Sequence, residues 1–316
     1  MENLIYSLNA TIPIFLVMVL GYLFYKGKLL NDNFVSVANK FVFQVALPVM
    51  LFCDLRTMDL EENFSWPFVG FCFVVTFLMF ALTWIGAELA FQDKQMVGSF
   101  VQGACRGSAA ILGIAFVVNM FGSAGMTPLM IFAAVPLFNV FSVAALCIHG
   151  RDTGQSKGAQ LRKTLLNILK NPIIISILIG LVFAFFRIPL PETLDSTLNL
   201  VGAVSTPLAL IAIGAGFSFA GAKKVWKPAL AAVFIKLIAL PGVFLPIAAW
   251  MGFRNQEMIA VLIMLGSPTT PTSYIMAKQM AGEGDLSGSI VVIATLCSAV
   301  TLTGWIFVLK SLGLLG

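Results

Sequence analysis

A chain of 316 residues that is 59% hydrophobic and only 10% charged, with a mean hydropathy of +0.98, cannot hydrate its surface as a soluble domain does; such domains carry about 25% charged residues. Its apolar runs are continuous rather than alternating, which excludes a transmembrane barrel and points to an all-α integral membrane protein. The net charge of +5 invites a nucleic-acid partner, but the basic residues fall between apolar runs in a membrane pattern, so none is expected.

Apolar runs near 20 residues each cross a ~30 Å hydrocarbon layer. Read in chain order, ten are predicted, at about 9–25, 34–54, 66–90, 97–121, 126–148, 171–189, 194–219, 228–250, 257–280 and 287–312. The first, from Thr11 to Phe24, lacks a basic leader and a small-residue cleavage site, so it reads as a retained helix. The ninth is interrupted by Ser267-Pro268-Thr269-Thr270-Pro271. The stretch from His149 to Lys170 is the longest hydrophilic one. It divides a single membrane transporter domain into a first repeat over 1–148, a cytoplasmic loop over 149–170 and a second repeat over 171–316.

One alternate set of loops holds Lys26, Lys28, Lys94, Arg151, Lys157, Arg162, Lys163, Lys170, Lys223, Lys224, Lys227 and Lys278. The opposite set holds Arg56, Arg187, Arg254 and Lys310. Short basic loops stay cytoplasmic, so both termini are expected outside the cytoplasm of a cell membrane.

Two halves of five spans each must insert in opposite directions, and self-similarity between them follows one offset. Pro13 and Gly21 match Pro172 and Gly180, Pro48 matches Pro207, and Gly107-Ser108 matches Gly266-Ser267, each pair separated by 159 residues. Inverted repeats with interrupted helices at matching positions mark secondary transporters whose sites lie near the midplane. At 1.5 Å per residue, Arg106 lies ~14 Å into its span and Pro268 ~16 Å from the opposite face, so the two breaks are expected to meet.

The fourth span reads Gln102-Gly103-Ala104-Cys105-Arg106-Gly107-Ser108-Ala109-Ala110, small enough to admit a neighbouring backbone or to open. In the ninth, Pro268 and Pro271 each remove a backbone donor. Carbonyls freed in this way must face protein or a polar cavity. Gly266, Ser267, Pro268, Thr269, Thr270 and Pro271, with Arg106, Gly107 and Ser108, therefore form the predicted substrate site. Arg106 is its centre, because a guanidinium at mid-bilayer costs at least ~3 kcal/mol and its fork fits a carboxylate or phosphate. The structural alternative is pairing with a helix carbonyl end or with Glu88.

Lys40, ~9 Å inside its span, either snorkels to the cytoplasmic face or has a functional role. Lys236, ~12 Å inside the eighth span, either supports coupling or neutralises a carbonyl end of a broken helix. Gln44 and Asn139 join them as candidate coupling or supporting residues, although interhelical hydrogen bonding is the commoner role of such groups. Cys53, Cys72, Cys105, Cys147 and Cys297 show no metal-type spacing and read as packing residues, so no metal site and no cofactor are expected.

Nearly the whole chain resembles the auxin efflux carrier family, which includes plant PIN proteins and bacterial organic-acid carriers. The resemblance rests on Asn39-Lys40-Phe41 with Leu47-Pro48, Arg106-Gly107-Ser108 with Leu112-Gly113-Ile114, and Asn171-Pro172-Ile173-Ile174. It continues through Thr206-Pro207-Leu208 with Ile213-Gly214-Ala215, the run Ser267 to Tyr274 with Ala277-Lys278-Gln279, and Ala294-Thr295-Leu296-Cys297-Ser298. It implies a fold like that of bile-acid sodium symporters, in which broken fourth and ninth helices cross. It also implies a scaffold of spans 1, 2, 6 and 7, an elevator-like mobile core of spans 3–5 and 8–10, and an organic-acid substrate. This chain departs from the family at Gly113-Ile114-Ala115-Phe116, where many members have a proline. That puts the opening of the fourth span in question.

The expected function is a secondary transporter of a small organic anion: a carboxylate or dicarboxylate of the malate or malonate class, or an auxin-like acid. Membrane lipid surrounds it, H+ or Na+ are the coupling ions to consider, and a homodimer is admissible. The alternatives are an ion-coupled symporter of another solute, or a channel or receptor on the same fold. An intramembrane enzyme lacks its constellation here: there is no HExxH, P-loop or aspartate-rich motif, and the single histidine, His149, lies at a span edge.

Overall fold

The computed structural model describes residues 2–57, 65–109, 117, 118, 120, 121, 125–150, 166 and 168–315. The stretch from 110 to 116 with its Leu112-Gly113-Ile114 run, the basic residues Arg151, Lys157, Arg162 and Lys163, and the divergent Gly113-Ile114-Ala115-Phe116 lie outside these.

The described residues are helical, with one isolated antiparallel bridge as their only extended pairing. We number the helices α1 (Glu2–Lys26), α2 (Asp32–Arg56), α3 (Trp66–Ala90), α4 (Gln95–Cys105), α5 (Thr127–Ile148), α6 (Pro172–Phe186), α7 (Glu192–Ala215), α8 (Phe219–Trp250), α9 (Asn255–Gly266), α10 (Thr272–Met276, continuing through Ala277–Ala281) and α11 (Asp285–Ser311). Six of them, α2, α3, α5, α7, α8 and α11, are long and apolar enough to cross a membrane. By contrast α4 and α9, with 11 and 12 residues, reach only about 16–18 Å, roughly half the hydrocarbon thickness.

Prolines set the irregularities within the long helices. Pro48 has no N–H to give the carbonyl four residues back, and the ladder slips: Leu47 N–H donates to the Val42 carbonyl through a π turn, Val42–Ala46. The same happens before Pro241, where Leu240 N–H donates to the Ile235 carbonyl through a π turn, Ile235–Ala239. In α7 the helix is interrupted at Val204, three residues before Pro207.

Two groups of helices result. α2 packs on α6 and α7, and α3, α4, α5, α8, α9 and α11 pack together, while α1 packs both on α7 and on α11 and so bridges the two. Close backbone approach fixes the first group. A Cβ on Gly21 of α1 would collide with the Ile211 backbone of α7, and one on Gly180 of α6 would lie 3.2 Å from the Phe52 carbonyl oxygen of α2. Ion pairs tie helix ends: Arg56 of α2 binds Asp195 of α7, and Glu88 of α3 accepts from Lys94 at 3.1 Å. Apolar side chains such as Leu16, Phe73, Val74, Phe77, Leu82, Phe185 and Val300 are exposed, as lipid-facing groups are.

Candidate functional site

α4 and α9 stop inside the bundle, and the segments that follow them cross. Beyond Cys105 the chain turns extended at Arg106, and beyond Gly266 it does so at Ser267. Gly107 and Thr269 form the antiparallel bridge, with the Ser108 N–H donating to the Pro268 carbonyl at 2.9 Å. A Cβ on Gly107 would lie 2.9 Å from Lys236 Nζ and strike Ser267 Oγ, so only glycine allows this approach.

Ending a helix in a low-dielectric interior leaves carbonyls that must be paired. In α9, Met264 would normally accept from residue 268, but Pro268 has no N–H. Lys236 Nζ donates to that carbonyl at 3.1 Å. In α4 no proline intervenes, yet two carbonyls lose their helical donors as the chain turns away. Thr269 Oγ1 donates to the Gly103 carbonyl at 2.7 Å, and Lys236 Nζ donates to the Cys105 carbonyl at 3.0 Å. Gln102 Nε2 donates to the Ser273 carbonyl at 2.9 Å, tying α4 to α10. Of the two roles open to Lys236 in the sequence, neutralising carbonyl ends is the one its contacts match, and it serves two helices at once.

Arg106 is 4% exposed, and its Nη1 contacts Met276 Sδ. Glu88 does not pair with it, because Glu88 is engaged by Lys94 and lies 2.5 Å from His149 Nε2. Nor, among the described residues, does a helix carbonyl end accept from it; Lys236 and Thr269 hold those of Gly103, Cys105 and Met264. Among the described residues Arg106 has no anionic partner. It lines a pocket between α2 and the crossing, together with Gly107, Ser108, Asn139, Thr270 and Thr272. Asn139 Nδ2 donates to the Val135 carbonyl at 2.9 Å, leaving its Oδ1 buried without a partner. Thr270 and Thr272 hydroxyls are 3.1 Å apart.

The remaining predicted residues build the crossing rather than line the pocket. Gly266, Ser267, Pro268 and Thr269 form the second segment, and Pro271 caps α10. Lys40 and Gln44 are exposed on α2 and do not line the pocket. Asp54 lines it opposite the crossing, beside Met50 and Leu51. In the sequence Asp54 is merely the last residue of a predicted span, and nothing local marks it. Among the described residues no cluster of His, Cys, Asp or Glu is arranged to hold a metal.

A guanidinium beside hydroxyl groups and an unpaired amide oxygen, at the meeting of two broken helices, has the chemistry to hold a small anion. The comparisons agree with a transport role. The chain is 22% identical over 312 residues to "Uncharacterized transporter YfdV" of Escherichia coli K12, covering 96% of this chain and 98% of that protein. It is 20% identical over 304 residues to an "Uncharacterized transporter" of Methanothermobacter thermautotrophicus, covering 96% and 98%. It is 22% identical over 310 residues to a Rhizobium meliloti protein named "Putative malonate transporter", covering 95% of each. The family described as membrane transport protein matches residues 6–306. The chain belongs to that family, the auxin efflux carriers its motifs resemble, and is a multi-pass membrane protein.

Proposed function

We propose that this protein is a secondary transporter of small organic anions, of the carboxylate or dicarboxylate class. The observation that carries the reading is Arg106, a buried guanidinium that lines a pocket at the crossing and has no anionic partner among the described residues. Burying an unpaired charge is costly, and a ligand that arrives with the opposite charge recovers that cost only while bound. The malonate name of the Rhizobium protein makes malonate and malate the first substrates to try. Counterflow of labelled malonate and malate in vesicles containing the purified protein tests the proposal; if no organic anion exchanges, it fails.

The ten-span inverted repeat at an offset of 159 draws support from several contacts. Gly21 approaches Ile211, and Gly180 approaches Phe52, which stands 159 positions before Ile211. The carbonyls held by Lys236, those of Cys105 and Met264, are also 159 positions apart. The packing of α2 on α6 and α7, apart from the helices that bear the crossing, supports an elevator-type alternation in which the latter move against α2, α6 and α7, with α1 lying against both. The basic loops support a cell-membrane protein with both termini outside the cytoplasm. A cysteine placed at Gln155 is then shielded from an impermeant thiol reagent added outside, while one at Asn63 reacts. The reverse pattern contradicts this orientation.

A further inference from the structure

We infer that Lys236 is a built-in cation at the crossing: its ammonium fills the position where a transporter with broken helices takes up an inorganic ion. The crossing of this chain therefore needs no sodium there. Unwound carbonyls and the C-terminal ends of half-helices are where such proteins coordinate Na+. Here the ends of α4 and α9 converge on a single nitrogen, 3.0 Å from the Cys105 carbonyl and 3.1 Å from that of Met264.

The charges balance without a further ion. Each helix end carries about half a negative elementary charge, and two ends together match one ammonium. The Phe138 ring, its centroid 5.9 Å from Nζ, offers a further face that favours a cation. Lys236 is 0% exposed and has no acidic partner among the described residues, so the carbonyl ends are what hold its charge. The π turn Ile235–Ala239 supplies the local geometry, since it widens α8 at this residue. Arg106 is the other buried cation of the crossing and belongs to the pocket, so the two have separate tasks: Lys236 completes the protein and Arg106 awaits a ligand.

The test uses thermal unfolding of the full chain in detergent and involves no transport substrate, so its outcome is independent of the carboxylate proposal. Wild type, Lys236→Ala and Lys236→Met are compared in choline, sodium, ammonium and methylammonium chlorides at equal ionic strength. The wild-type midpoint should be the same in choline and sodium. Lys236→Ala should melt several degrees lower in choline and regain most of that loss, saturably, when a small cation enters the vacated space. Lys236→Met, which fills the space without charge, should melt lower in every salt. A saturable rise of the wild-type midpoint with sodium overturns the inference. So does a folded Lys236→Ala that no small cation stabilises, or a Lys236→Met that melts with wild type. If Lys236→Ala does not fold, the wild-type and Lys236→Met arms still decide.

Discussion

The two broken segments reach the same geometry by different means. The one after α9 is bracketed by Pro268 and Pro271, so its carbonyls are freed by covalent structure wherever the segment happens to lie. The one after α4 contains no proline, and its helix ends where Thr269, Lys236 and the Pro268 carbonyl compete successfully for its backbone groups. The first kind of break belongs to a sequence, the second to a partnership. Arg106 sits on the second kind, so the position of its guanidinium depends on the other half of the chain.

If the α4 break serves to present Arg106, that residue is where substitution should cost most. Arg106→Ala should lose ~1.5–3 kcal/mol of anion binding, roughly one to two decades in affinity, with Arg106→Lys intermediate because a point charge does not reproduce the fork. Melting temperature and malonate affinity measured on the same preparation separate this from a packing role, in which stability falls and affinity stays.

The comparison between the breaks is sharpened by Thr269→Val set beside Pro268→Ala combined with Pro271→Ala. Thr269→Val leaves the Gly103 carbonyl without its donor and should cost about 1 kcal/mol of stability. The double alanine variant restores an N–H at position 268 that competes with Lys236 for the Met264 carbonyl, and one at 271 that can reach the Ser267 carbonyl. It should spare stability and expression while slowing transport. Equal melting of Thr269→Val and wild type would show that the α4 break does not lean on its partner.

The smallest effect is expected at Asp54. Its carboxylate lines the pocket across from Arg106, whereas Arg56 on the same helix is engaged by Asp195. An ionised Asp54 opposes an entering anion, so affinity should rise a few-fold as the pH falls and Asp54 takes up a proton. Asp54→Asn should bind as well as the acid form and lose that pH dependence. A pH profile shared by wild type and Asp54→Asn removes Asp54 from the pocket's electrostatics.

What the sequence determined by itself is what acts over a turn or two of backbone. Hydropathy marked an all-helical membrane protein, and Pro268 and Pro271 marked a helix that cannot continue, because a missing N–H is felt by the carbonyl four residues back. The same local rule explains the π turns before Pro48 and Pro241. The opening of α4 was less legible, since nothing in Gly103 to Ser108 forbids a helix. Only the tertiary structure decided which long side chain reaches which carbonyl. Lys236 finds partners 131 and 28 residues away because a π turn in α8 and two helix ends converge. Asp54 enters the pocket, and Lys40 and Gln44 stay outside it, because of how α2 faces the crossing. A charge in a helix is visible from composition, but whether it is satisfied depends on oxygens that only packing brings within 3 Å.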